Sequence, residues 1–399
     1  MGSGGTAHYR CGKAGSVLLL IVGQIAVLSL WFVSAAVLPE MLAERPLSPL
    51  RQAALSSAVQ AGFVLGALAS AFLGLADRFD PRRLFAACAL LAALANVALL
   101  VVTIGGAAAI ALRFATGVLL AGVYPVGMKM AVGWGQSDRG LLVGLLVGGV
   151  TLGSAAPHLV AALGGSDWRF TVQVTSLAAL LGGLSILFVG LGPFHAQSPR
   201  LRLGASLLAW RDRRIRLAIA GYLGHMWELY AMWAWIGVAA AASYSATLSS
   251  DAAEQLAKWT AFIAIASGGL ASGLAGALAD RLGKRRIAMV CLAGSGTAAL
   301  ATALSFGGAV WLTFALVVVW GITIIPDSAQ FSALVADYAP ADQAGSLMTL
   351  QTALGFALTI VTVQATPALA DLFGWPPILA VLALGPLYGL WAMRRLKSA

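Results

Sequence analysis

Twelve runs of about twenty apolar residues, parted by short polar breaks, constrain this chain more than any other feature. A helix rises 1.5 Å per residue and bilayer hydrocarbon is roughly 30 Å thick, so each run has the length of one membrane crossing. The runs read as helices over 16–39, 54–76, 84–104, 107–131, 140–163, 168–191, 215–243, 257–279, 287–306, 309–335, 344–369 and 375–393. Composition agrees, with 60% of the 399 residues hydrophobic and only 10% charged, against roughly 25% charged in a soluble domain. The expected surroundings are therefore the lipid bilayer.

A net charge of +10 suggests nucleic acid in a soluble protein, but here the basic residues sit in short clusters between apolar runs, which excludes a nucleic-acid face. Cys11, Cys88 and Cys291 are dispersed, with no metal or redox spacing. The first run resembles a signal peptide, yet it is too long and lacks a small-residue cleavage site, so it reads as a retained helix. With both termini on the cytoplasmic side, nineteen Lys and Arg residues fall in cytoplasmic segments and four, Arg45, Arg51, Arg169 and Lys258, fall opposite. That asymmetry orients the chain by the positive-inside rule, in a bacterial-type inner membrane. The expected organisation is a cytoplasmic segment 1–15, a six-helix bundle 16–191, a linker 192–214 with a short helix near Leu203 to Trp210, a second bundle 215–393 and a tail 394–399.

The two bundles repeat one another. Asp77 and Asp280 stand 203 residues apart in matching loops, Pro125 and Pro326 stand 201 apart, and Gly140 and Gly345 stand 205 apart. The loop holding Gly276, Asp280, Arg281, Gly283, Lys284 and Arg285 matches, residue for residue, the Gly-x-Leu-Ala-Asp-Arg-x-Gly signature followed by basic residues. The chain thus resembles the major facilitator superfamily. Arg113 and Gly117 open the fourth run in the Arg-x-x-x-Gly pattern of that superfamily. The first loop, with Asp77, Arg78 and Arg82, departs from the signature, since Leu73 and Asp80 stand where glycines are expected. Its turn must differ. The resemblance implies an all-α membrane protein of twelve transmembrane helices in two pseudo-symmetric six-helix bundles, a monomer, with a cavity lined by spans one, four, seven and ten. The Asp-Arg-basic loops read either as cytoplasmic gates, where carboxylates cap helix ends or pair with arginines, or as anchors for lipid phosphates.

Ionisable side chains inside a span are costly and mark function by default. His225 and Glu228 lie three residues apart on one helix face in the seventh run. Hydrocarbon disfavours the charged carboxylate, so Glu228 is the leading proton-coupling residue, with His225 as relay; the alternative is a hydrogen-bonded structural pair. Asp327, after Pro326, is a second protonation site or a partner for Arg113 or Lys129. Arg113 faces another helix, an aqueous cavity or an anionic solute. His158 lies beside glycines suited to close helix packing, and serves that packing or the solute. Gln24, Trp31, Gln60, Tyr124, Tyr222, Trp227, Gln330 and Gln351 complete the expected solute site with Arg113 and His158.

The favoured function is a secondary transporter for a small organic solute with a polar or anionic head, coupled to protons and working by alternating access. Multidrug export is the alternative, although Gly153 and Pro157 lie four residues apart where an adjacent Gly-Pro is expected in the fifth span. The four histidines have no paired metal spacing and no Gly-Lys-Ser/Thr phosphate loop is present. No metal or cofactor is expected, and a membrane enzyme or non-transporting sensor is disfavoured.

Overall fold

The computed structural model describes residues 12–135, 138–165, 167–195, 205–340 and 343–396. The fold is all helical, with no strand among these residues. Twelve segments follow the expected runs closely. Segment one is broken into Lys13–Leu28, Val33–Ala36 and Leu38–Glu44. Segments two and three are Pro49–Leu73 and Pro81–Val97, the latter ending in a tight turn to Val101. Segment four splits into Ala107–Leu120 and Tyr124–Val132, segment five is Arg139–Gly164 and segment six is Trp168–Ser185. The linker helix spans Ala205–Arg211, while 196–204 lie outside the described residues. Segments seven to nine are Arg213–Tyr244, Ser250–Leu282 and Lys284–Ser305. Segment ten splits into Val310–Ile324 and Ser328–Tyr338, segment eleven is Ala344–Phe373, and segment twelve runs through Trp375–Leu382 and Leu384–Arg395. Ten of these are long and apolar enough to cross a membrane. Segment one falls short because it is broken, and segment seven because its long helix is interrupted by polar residues such as His225 and Glu228.

The interior holds polar as well as apolar side chains, and large apolar ones also cover the perimeter. Gln24, Gln60, Arg113, His225, Glu228 and Gln351 are fully buried, while Leu304 and Val101 are 89% and 86% exposed. Water would penalise that arrangement and lipid favours it. The connections after segments two and eight, with the described chain ends, mark the basic end of the bundle; those after segments one, five and seven mark the far end.

Glycines carry the closest helix contacts, and they do so twice. A β-carbon at Gly117 of segment four would lie 2.0 Å from the Val59 carbonyl of segment two, and one at Gly321 of segment ten would lie 2.0 Å from the Ala264 carbonyl of segment eight. Segments one and six meet likewise through Gly23 and the Gly182 carbonyl at 3.0 Å, and segments seven and twelve through Gly224 and the Gly385 carbonyl at 2.5 Å. The paired positions, Gly117 with Gly321 and Gly23 with Gly224, reproduce the spacing of the loop repeat, so the duplication is one of packing as well as of motif. Without hydrophobic attraction between helices in lipid, close backbone approach and dispersion hold such pairs.

The two signature loops turn differently, as the missing glycines require. Gly283 takes φ +92° between segments eight and nine. In the first loop the left-handed residue is Gly74, φ +60°, and Asp80 is an ordinary N-cap that accepts from the Arg82 backbone N–H at 2.9 Å. The Arg82 side chain returns to the same carboxylate through Nε at 3.0 Å and Nη2 at 2.7 Å, with Nη1 on the Val189 carbonyl. These contacts hold the Asp80 carboxyl below the usual carboxylate range.

Two outcomes follow from this packing. Gly117→Ala and Gly321→Ala each lower the thermal stability of the purified protein by at least ~1–3 kcal/mol, the cost of overpacking a close contact, whereas Gly144→Ala, which meets nothing within 4 Å, leaves it nearly unchanged. Asp80→Ala removes a cap contributing about 1 kcal/mol; because folding lowers the Asp80 pKa, that contribution is full above the ordinary carboxylate range and fades as pH falls through the folded-state pKa, so wild-type and variant melting curves recorded in acid converge.

Candidate functional site

Segment one unwinds over residues 29–32, and the cause lies on segment four. The Arg113 guanidinium donates to the Leu30 carbonyl at 2.9 Å, the Trp31 carbonyl at 2.5 Å, the Leu55 carbonyl at 3.2 Å and Asn96 Oδ1 at 3.3 Å. Carbonyls freed by the unwound turn therefore satisfy a buried cation, and the cation satisfies them. Asn96 is itself held by Ser176 Oγ at 2.9 Å, so the clamp joins segments one, two, three, four and six.

A second polar cluster sits on segments seven, nine and ten. Glu228 accepts from Ser295 Oγ at 2.5 Å through Oε1 and from Trp320 Nε1 at 3.1 Å through Oε2. His225 does not pair with Glu228, its neighbour on the helix. Its Nδ1 lies 2.8 Å from Asp327 Oδ1, both groups fully enclosed. Asp327 is placed there by the break of segment ten at Pro326, which ends one helix at Ile324 and lets Asp327 lead into the next at Ser328. The sequence left Arg113 and Lys129 open as Asp327's partner; the partner found is His225. Ser295, Trp320 and Asn96 carry no charge and no motif, so they were not legible as members of these clusters.

Between the first and last six segments lies an aromatic seam. Trp31 of segment one stands 4.8 Å from Phe63 of segment two, 5.8 Å from Tyr230 of segment seven and 5.6 Å from Phe356 of segment eleven, centroid to centroid. Phe63 and Phe356 are 4.7 Å apart, and Phe32 packs edge-on to Trp233 at 5.8 Å. The same four segments carry buried polar atoms without a hydrogen-bond partner among the described residues: the Trp31 Nε1, both amide atoms of Gln60 and of Gln351, and His225 Nε2. The Tyr222 ring stands 6.0 Å from His225 and one face of it covers Gly355. Tyr124 opens the second helix of segment four, just after its break.

The remaining expected residues scatter. Gln24 donates to the Leu146 carbonyl at 3.0 Å and lies against Gly127, bridging segments one, four and five. Trp227 donates to the Val381 carbonyl of segment twelve at 3.2 Å, away from the seam. Gln330 is buried near the second break. His158 is buried at the far end, against Gly237. In the loops, Lys284 pairs with Asp337 at 2.6 Å and Arg285 donates to the Met393 carbonyl at 2.6 Å, tying segment nine to ten and twelve. Arg78, Asp280 and Arg281 are exposed, Gly276 is half-buried, and the Asp77 side chain lies outside the described residues.

The sequence matches the model of the Major Facilitator Superfamily over residues 19–250. No curated protein matches. The fold is similar to that of a point mutant of the nucleoside transporter NupG, with 14% identity, TM-score 0.74 and coverage of 97% of this chain and 100% of that one. It is similar also to the xylose transporter XylE from E. coli in a partially occluded inward open conformation, at 12% identity, TM-score 0.74 and coverage of 96% and 98%. A D-xylose-proton symporter matches at 13% identity, TM-score 0.76 and coverage of 97% and 98%.

Arg113→Lys does not restore the clamp, because a single ammonium cannot reach three carbonyls and an amide that a planar fork spans. Both Arg113→Lys and Arg113→Met lower thermal stability by roughly 3 kcal/mol or more, as several buried acceptors each lose a donor, measured by unfolding of purified protein in detergent.

Proposed function

Since the chain belongs to the major facilitator superfamily and is a multi-pass membrane transporter rather than an enzyme, we propose that it moves a small, uncharged polar solute through the central seam in exchange for, or together with, protons. The chain crosses an inner membrane twelve times, segment one broken and segment seven polar, with its basic end and both termini in the cytoplasm. Residues 16–191 and 215–393 rock about the seam as two bodies.

The observation that carries this reading is the sorting of charge. Glu228, His225 and Asp327 are gathered on segments seven and ten, while Arg113 is spent on backbone carbonyls of segments one and two. An anionic head, suggested by Arg113 from sequence, loses that support. The segments that form the seam carry amide, phenol, imidazole and indole groups: Gln60, Gln351, Tyr222, His225 and Trp31. Unpaired buried amides select solutes that return both donor and acceptor groups, and aromatic faces select flat or ring-shaped ones. A nucleoside or a pentose, as named for the structural neighbours, has that chemistry.

Glu228 and Asp327 hold the protons. A carboxylate enclosed without a cation exchanges charge for a proton, and here Ser295 and Trp320 supply donors to the ionised form of Glu228. Proton and solute meet on segment seven, where Tyr222, His225 and Glu228 follow at successive turns. In proteoliposomes, uridine or D-xylose accumulates under an imposed pH gradient, and uridine 5′-phosphate does not. Glu228→Gln abolishes accumulation and leaves counterflow exchange intact. Accumulation at full rate in the variant contradicts the coupling assignment, and preference for the phosphate contradicts the uncharged solute.

A further inference from the structure

One face of segment eight is addressed across the seam to the first six segments at the far end. Lys258 forms an ion pair with Glu40, on the last helix of segment one, and its Nζ also donates to the Gly165 carbonyl after segment five at 3.0 Å. Three residues earlier, Gln255 donates to the Ala162 carbonyl at 2.8 Å. Lys258 and Glu40 are each 7% exposed, so the pair is enclosed between elements that alternating access must separate. Next to it is a cavity of about 10 Å³, lined by His158 of segment five, Gly237 of segment seven, and Glu254 and Lys258 of segment eight, about the space that one water occupies.

A buried ion pair is a poor choice for a permanent contact, because the desolvation of both ions offsets much of their attraction and an apolar pair of equal volume packs as well or better. It suits a contact that must come apart. When the far end opens, water enters, and the carboxylate and ammonium recover the hydration that enclosure withheld; an apolar contact would instead expose surface at a cost. Segment eight also offers the freed lysine another partner. Glu254 stands four residues before Lys258, half-buried, and lines the same cavity. Glutamate four residues N-terminal to lysine is the favourable order for an intrahelical pair.

We propose that Glu40 and Lys258 form the latch of the far end, and that Lys258 exchanges Glu40 for Glu254 when that end opens. The inference rests on alternating access, but its readout is a distance rather than transport, so either can fail without the other. Nitroxides are placed at Arg45→Cys and Ser249→Cys, both exposed at the far end on opposite sides of the seam, in a chain with Cys11, Cys88 and Cys291 replaced by alanine. Pulsed electron-spin distances are then recorded on the purified, detergent-solubilised full chain.

Lys258→Met and Glu40→Gln each move the distribution toward longer distances, and the double variant moves it no further than the larger single shift, since both remove one interaction. Glu254→Gln, which weakens the alternative partner, moves it toward shorter distances than the parent. Unchanged distributions in either charge deletion, or additive shifts in the double variant, overturn the latch; an unchanged distribution in Glu254→Gln overturns the exchange of partners. Where Glu40→Gln does not purify, Glu40→Asp shortens the reach by one methylene and is held to the same outcomes.

Discussion

The outer face of this bundle meets a solvent that accepts no hydrogen bonds, and everything polar must therefore be settled inside. Arg113 settles its charge on carbonyls of segments one and two, Glu228 on a hydroxyl and an indole, Asp327 on an imidazole and Lys258 on Glu40 and a carbonyl. Each solution draws on a different helix from the one that bears the charge. Polar residues thus do in lipid what apolar residues do in water: they decide which helices are neighbours.

Glycine supplies the complementary part. Close crossings between segments two and four, eight and ten, one and six, and seven and twelve are made where a missing side chain lets a carbonyl of the neighbouring helix approach. Both bundles use the same crossings at the same register. Their polar contents nevertheless diverge. The first bundle holds a cation used to fix a broken helix, and the second holds carboxylates facing a histidine. A duplicated scaffold has been given one structural charge and one set of titratable ones.

Much of this was legible beforehand. The helices lie within a few residues of the apolar runs, and the linker helix, expected near Leu203 to Trp210, is found at Ala205–Arg211. The largest shift is at segment eight, which begins at Ser250 rather than 257; its added first turns carry Asp251 and Glu254, and Lys258, expected on the far side, is enclosed against Glu40. Pro125 and Pro326 stand at the breaks of segments four and ten, where a missing N–H interrupts the helix. The break in segment one could not be read, because Ser29, Leu30, Trp31 and Phe32 include no proline or glycine and the cause is an arginine some eighty residues away. For the same reason His225 was matched with Glu228 by helical spacing, whereas the bend at Pro326 delivers Asp327 to it from another segment.

The central claim is that the carboxylate of Glu228, enclosed among Ser295, Trp320 and the Asp327–His225 pair, gains and loses a proton in the working protein. Infrared difference spectroscopy of the purified protein in lipid, recorded between acidic and alkaline buffer, tests it most directly. The account predicts a protonated-carboxyl band that appears on acidification and is missing from Glu228→Gln. A spectrum in which Glu228→Gln removes no such band contradicts it.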